Sequence, residues 1–169
     1  MGTLYLASTR DAIKIISNAF SDLQAYAKIR GLRLSRESVD VLEEARKQLM
    51  EYFSSKRTGF SLPLDPDGTE FQISVWDAAK DIRYGSVTTY AEIGKKLGRP
   101  RAYRAVGAAL RRNPLIIVIP CHRVVMSDGR LGGYSAGLKW KSRLLSFERS
   151  NSRTIGDKVS TLLDRSKRK

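Results

Sequence analysis

The sequence predicts an α+β chain in two parts, a small strand-bearing N-terminal region and a mostly helical C-terminal region, and three observations carry that prediction. Short runs of strand composition, Leu4-Tyr-Leu-Ala-Ser8 and Ala12-Ile-Lys-Ile-Ile16, fall within residues 1–30. A connector crowded with Pro63, Asp65, Pro66, Asp67 and Gly68 then breaks regular structure. Beyond it, one segment after another carries helix start and stop signals. The division expected is a domain at 1–66, a domain at 67–150, and a basic tail at 151–169 without stable structure.

Taken in order, the first thirty residues support two readings. The two apolar runs suit strands, while Ile13, Ile16, Phe20 and Leu23 also keep a helical spacing; we read strands. From Ser35 the pattern is helical: Val39, Leu42, Leu49 and Phe53 stay near one face, Glu43 precedes Lys47 by four, and no Gly or Pro intervenes before Gly59. Phe71, Val75, Ala79 and Ile82 give the next helix, which the Tyr84-Gly85 pair ends. Thr89 and Glu92 form a capping box ahead of a short helix stopped by Gly98, and Pro100 opens another that runs to Asn113-Pro114. These two short helices make a helix-turn-helix candidate. Leu115-Ile-Ile-Val-Ile119 reads as a buried strand, residues 127–133 as a loop, and Ser135 to Arg149 as a closing helix.

Charge narrows the partner. With 31 Lys and Arg against 17 Asp and Glu, the chain of 169 residues carries +14 and a pI near 10.2 at a mean hydropathy of −0.34. Such a balance points to a polyanion, nucleic acid before a membrane surface. One cysteine makes no internal disulfide, and one cysteine with one histidine falls short of a structural zinc site, so neither metal nor cofactor is expected. A reducing, intracellular location follows, since no signal-peptide layout opens the chain and no apolar run is long enough to span a bilayer.

Two constellations could carry chemistry. Between Lys95 and Arg112 stand seven Lys or Arg and no acid, a density that repels itself unless phosphates neutralise it. Arg101, Arg104, Ala108 and Arg111 share one stripe, Tyr103, Val106 and Leu110 another, and Ala105, Gly107, Ala108 and Ala109 keep the surface low enough to enter a groove. The plain alternative is a solvated basic face. The second constellation is Cys121-His122, the only cysteine beside the only histidine. A reactive thiol needs a base or a positive charge near it, which His122 and Arg123 offer, and Pro120 ends strand pairing just before it. An inert core cysteine with a backbone-bonded histidine also fits.

Together, Ile119-Pro-Cys-His-Arg-Val-Val125, Tyr103-Arg-Ala-Val-Gly-Ala-Ala-Leu-Arg-Arg-Asn-Pro114 and Gly132-Gly-Tyr-Ser-Ala-Gly-Leu-Lys-Trp-Lys-Ser-Arg-Leu-Leu-Ser-Phe-Glu148 resemble the O6-alkylguanine-DNA alkyltransferases. The resemblance runs from about Val39 to Glu148. It implies a small N-terminal ribonuclease-H-like α/β domain followed by a mostly helical domain with a winged helix-turn-helix. It further implies single-turnover transfer of an alkyl group from O6 of guanine, and less well from O4 of thymine, to Cys121. By matching positions, His122 draws the thiol proton through a water, Glu148 holds the imidazole, and Asn113 braces the site. Tyr90 donates to the guanine and crowds the phosphate. Arg104 fills the stack after the nucleotide rotates out, and Thr89, Arg101, Ala105, Ala108, Arg111 and Arg123 join the DNA contact. Val124, Gly132, Tyr134 and Ser135 form the substrate pocket wall. The implied partner is duplex DNA with an alkylated base, met by a monomer in the cytoplasm, or in the nucleus of a nucleated cell. A lesion binder that recruits other factors without transfer is the alternative, and the presence of Cys121 speaks against it. The first thirty-five residues, Arg112 and the tail depart from the family pattern.

Overall fold

The computed structural model describes residues 2–166, with side chains described through Ser152. Strands β1 (Tyr5–Ser8) and β2 (Ile13–Ser17) pair antiparallel with Tyr5 opposite Ser17 and Leu6 opposite Ile16. Ile13, Ile15 and Ile16 of β2 are all buried. Helix α1 (Phe20–Ile29) follows at once. The sequence reading missed it because Phe20 and Leu23 continue the apolar periodicity of the strand before them, so one signal covered two elements.

Helix α2 (Asp40–Phe53) forms as expected and buries Val41, Ala45, Leu49 and Tyr52 along one stripe. Its partner surface is β1 and β2 on one side and the closing helix on the other. The connector at 54–69 is irregular, but Ile13 donates its N–H to the Pro63 carbonyl at 2.9 Å, which seats the connector beside β2.

Helix α3 (Glu70–Lys80) starts at a capping box in which Thr69 and Gln72 satisfy each other's backbone N–H groups. A second capping box, Thr89 with Glu92, starts α4 (Tyr90–Lys96). Helix α5 (Tyr103–Arg111) begins later than Pro100 suggests, because Pro100 is taken up in the turn between the helices. That turn is tight: Arg99 donates to the Gly94 carbonyl at 2.8 Å, and a Cβ on Gly94 would lie 2.9 Å from the Arg99 oxygen. Only glycine allows the approach. The indole of Trp76 on α3 then donates to the Ala109 carbonyl of α5 at 2.9 Å, fixing the helix pair on the core.

The run 115–119 is not a strand. Val118 donates to Ile116, Ile119 to Leu115 and Cys121 to Ile119, at 2.8–2.9 Å, so the five aliphatics fold into a buried turn with Ile117 at φ 73°. Composition could not distinguish this from a strand, since both bury apolar residues; the hydrogen bonds close locally because Asn113 caps the turn, as described below. β2 reaches this turn too, Ile16 donating to Pro114 and Ile116 to Ile16.

After one turn of 3₁₀ helix (Cys121–Arg123), β4 (Val124–Val125) pairs parallel with β3 (Thr88–Thr89). Helix α6 (Leu138–Ser166) closes the molecule and continues well past residue 150 into the expected tail. No proline interrupts 138–166, so nothing in the backbone requires a stop. Residues 167–169 of that tail lie outside the described residues. One core runs through both parts, from Ile13 and Tyr52 to Trp76, Leu110, Ile119 and Leu144.

Candidate active site

The buried turn at 115–119 delivers Cys121 to the centre of the molecule, where it is 3% exposed. Asn113 holds the turn at both ends. Its side-chain oxygen accepts from the Leu115 N–H at 2.9 Å. Its amide nitrogen donates to the Ile119 carbonyl and to Cys121 Sγ, each at 3.0 Å. Burial pushes the Cys121 thiol up to about 11, against the pull of the Asn113 amide and of Lys141. A thiol so placed needs a base to take its proton when it reacts.

His122 turns the other way, and Glu148 on α6 receives it: His122 Nε2 lies 2.8 Å from Glu148 Oε1. The carboxylate also accepts from Tyr52 Oη at 2.6 Å and from the Gly85 N–H at 3.0 Å. Arg123 adds Nε at 3.0 Å to Oε2 and Nη2 at 2.9 Å to Oε1. Burial alone would raise the Glu148 carboxyl, but the His122 and Arg123 hydrogen bonds and charges hold it down to about 2. Glu148 is therefore ionised and only accepts, so His122 carries its proton on Nε2. Its Nδ1, buried and without a protein hydrogen-bond partner among the described residues, keeps a lone pair. Burial lowers the His122 pKa below its ordinary value, with Glu148 opposing and Arg123 reinforcing the shift, so the ring is a neutral base.

Lys141 completes the interior, and the sequence reading missed it. Fully buried on α6, it donates through Nζ to the Val124 carbonyl at 2.6 Å and to the Gly133 carbonyl at 3.3 Å. Burial lowers its pKa to about 8, and the charge that Cys121 carries when ionised opposes that shift. A signal was present: Lys141, Leu144 and Glu148 are spaced three and four apart, which puts two charged residues on the apolar stripe of a helix.

Tyr90 stands where this interior meets the surface. Its hydroxyl lies 3.4 Å from the Gly133 carbonyl and its ring 5.9 Å from Lys141 Nζ. Burial and then the Cys121 charge raise its pKa. Gly132, at φ 64°, packs under this ring, and a Cβ there would sit 2.6 Å from the Tyr90 oxygen. Tyr90, Gly132, Met126, Gly107, Ala108 and Arg104 line a cavity of about 620 Å³. Arg104, Ala105, Ala108 and Arg111 are exposed on one face of α5 beside it, and Arg101, also exposed, lies in the turn ahead of the helix and not on the helical stripe expected for it. Tyr103, expected on the packed stripe, is 48% exposed instead and lies under the Arg104 guanidinium. Thr89 is half-buried as the cap of α4.

Three expectations change. Arg123 does not face outward: it is 5% exposed, bound to Glu148 and to the Ile82 carbonyl, and stacked on Tyr84, because the buried carboxylate requires a cation. Ser135 is exposed and borders a different cavity, between β2 and the end of α5. Val124 and Tyr134 are buried around the site instead of lining the cavity, Val124 through its carbonyl on Lys141 and Tyr134 by packing edge-on to His122 at 6.2 Å. Among the described residues, no group of His, Cys, Asp and Glu side chains could hold a metal ion, and no helix is long and apolar enough to cross a membrane.

Two family profiles cover the chain. The one described as 6-O-methylguanine DNA methyltransferase, ribonuclease-like domain, matches residues 1–66, and the one described as its DNA binding domain matches residues 70–150. A methylated-DNA–protein-cysteine methyltransferase from Methanosarcina barkeri is 53% identical over 117 residues, 69% of this chain and 74% of that one. One from Methanosarcina acetivorans is 41% identical over 150 residues, 89% and 94% of the two chains. Among solved structures, a Mycobacterium tuberculosis relative in complex with DNA superposes with a TM-score of 0.75 at 33% identity, over 89% of this chain and 91% of that one.

Proposed function

The chain belongs to the methylated-DNA–protein-cysteine methyltransferase family, and from that premise we propose that Cys121 is the atom on which its direct-reversal DNA repair ends. The observation that carries this reading is the arrangement of the only cysteine and the only histidine: a thiol braced by Asn113, beside a neutral imidazole whose proton is fixed on the Glu148 side.

The reaction follows from those groups. His122 Nδ1 takes the Cys121 proton through one water, and the imidazolium that forms is stabilised by Glu148. The thiolate attacks the alkyl carbon in line with its bond to O6. The carbon–sulfur bond forms as the carbon–oxygen bond breaks, and guanine leaves with its carbonyl restored. The base departs as its N1 anion, steadied by a hydrogen bond from the Tyr90 hydroxyl, and takes up a proton at N1 from water, while Lys141, near the sulfur, favours the thiolate. The thioether is not hydrolysed, so each protein acts once. O4-alkylthymine presents the same bond in a smaller base and reacts less well.

An O6-alkyl group lies inside the base stack, so the nucleotide has to rotate out before the sulfur can reach it. The exposed face of α5 supports this step. Arg101 and Arg111 neutralise phosphates, Ala105 and Ala108 let the helix lie close, and Arg104 occupies the gap left in the stack. Contact through a groove with degenerate base edges suits a protein that must meet lesions in any sequence. We place the protein in the cytoplasm, or the nucleus of a nucleated cell, acting as a monomer on alkylated duplex DNA through a C-terminal domain at 67–150, with residues 1–66 as the N-terminal domain.

The test is intact mass and peptide mapping after mixing with duplex DNA that holds one O6-methylguanine. One added methyl on Cys121, never exceeding one per protein, is the expected result. An unmodified protein that binds the lesion tightly would instead mark a recognition protein without transfer.

A further inference from the structure

Among the described residues, the hydroxyl of Tyr52 is the one hydrogen-bond donor on Glu148 that comes from the N-terminal region. Tyr52 is fully buried near the end of α2 and donates to Oε1 at 2.6 Å, the same oxygen that His122 Nε2 meets at 2.8 Å. Its ring is held by Tyr84, Phe147, Phe53 and Phe60, with centroids 5.2–5.8 Å away. The hydroxyl is therefore aimed by packing and has no freedom to leave. A carboxylate oxygen shared among donors gives less to each, so a hydroxyl on Oε1 weakens the hold of that oxygen on the imidazole.

We propose that Tyr52 is a positioning residue of the transfer reaction, whose hydroxyl limits how strongly Glu148 draws a proton onto His122 and so keeps the imidazole free to accept the thiol proton. This rests on the reading that His122 relays the Cys121 proton. The physical need is clear from the surroundings. Glu148 would by itself make a buried histidine basic, and a histidine already protonated at neutral pH could not act as the base. Arg123 offsets the carboxylate charge through both oxygens, and Tyr52 adds a neutral donor on Oε1, the oxygen that meets the imidazole. The other titratable groups around the pair are Cys121 and Tyr134 on the His122 side, Lys141 on α6, and Tyr84, whose ring meets Arg123. None of these donates to Glu148 Oε1.

His122 is the only histidine in the chain, so its ring signals can be followed by NMR without assignment. Tyr52→Phe removes the hydroxyl and keeps the ring. The expected result is an upward shift of the His122 titration by about half to one pH unit. Methyl transfer should slow roughly three- to tenfold below that titration and match the parent well above it. Phe53→Leu loosens the same aromatic cluster without touching Glu148, and its titration should stay on the parent curve. Superimposable titrations of the parent and Tyr52→Phe overturn the proposal. A shifted titration with an unmoved transfer profile overturns the relay reading, and with it the part of Tyr52 in the reaction.

Discussion

The interior around Glu148 and the exposed face of α5 are both built from cations, and they use them in opposite ways. Inside, Arg123 and Lys141 are 5% and 0% exposed, one bound to Glu148 and the other to main-chain carbonyls. Outside, Arg101, Arg104 and Arg111 are exposed, and among the described residues no carboxylate lies within ion-pair distance of any of them. A buried charge must be compensated by the fold itself, so its position is fixed before any substrate arrives. An exposed charge left uncompensated is stabilised by whatever anion comes to it. The first arrangement serves reactivity and the second serves affinity, and the two should separate under mutation.

The largest separation is expected from Cys121→Ala. Methyl transfer should disappear from the mass spectrum while affinity for duplex DNA stays within about twofold, because the thiol contributes no charge to the outer face. Glu148→Ala should come next. It strands Arg123 inside without a counter-charge and leaves the His122 Nε2–H without its acceptor, and denaturant melts should show a loss of roughly 3–5 kcal/mol. The same carboxylate fixes an acid limb. Its folded pKa near 2 lies below the unfolded value of about 4.5, so the unfolded state binds more protons between them. Its stabilisation is full above about pH 4.5 and is lost as pH falls toward 2, and His122, lowered on folding, adds loss of the same sign below its own unfolded value.

Changes to the outer face should leave stability alone. Arg104→Ala should slow transfer on duplex DNA by roughly 10- to 100-fold, the cost of an unfilled stack, yet leave transfer from the free base O6-methylguanine unchanged. Equal loss on both substrates would place Arg104 in the chemistry and erase the distinction. Arg111→Gln should weaken binding uniformly across sequences and lower the slope of log affinity against log salt by about one. The smallest effect is expected from Thr89→Ala, which removes the cap of α4 for about 1 kcal/mol in thermal melts.

The two regions also differ in how far the sequence discloses them. The outer face is largely local: Arg104, Ala108 and Arg111 lie on one helix and helical spacing alone puts them together, while Arg101 sits in the turn just ahead of it. The capping boxes at Thr69 and Thr89 are local in the same way, although only the second was read in advance. The interior joins five separate segments, and only the adjacent Cys121 and His122 announce themselves. Glu148 and Asn113 were reached through family resemblance. Lys141 and Tyr52 were not reached, since a lysine on an amphipathic helix and a tyrosine on a buried stripe each have an ordinary structural reading. Arg123 was misassigned because its charge was read with the outer face, and nothing in sequence says which way a side chain turns after a 3₁₀ turn. The strand expected at 115–119 failed for a related reason: burial was legible there, and direction was not.

The short side chains on α5 have a consequence for how the protein is spent. Contacts made through long side chains freeze rotamers, at up to about 1.5–2 kcal/mol each. Ala105 and Ala108, both exposed beside Arg104, have no rotamers to freeze. Laying this face against undamaged DNA therefore orders little and commits little, and leaving it releases little. A reagent that is consumed by a single lesion can in this way try many sites before it is used up.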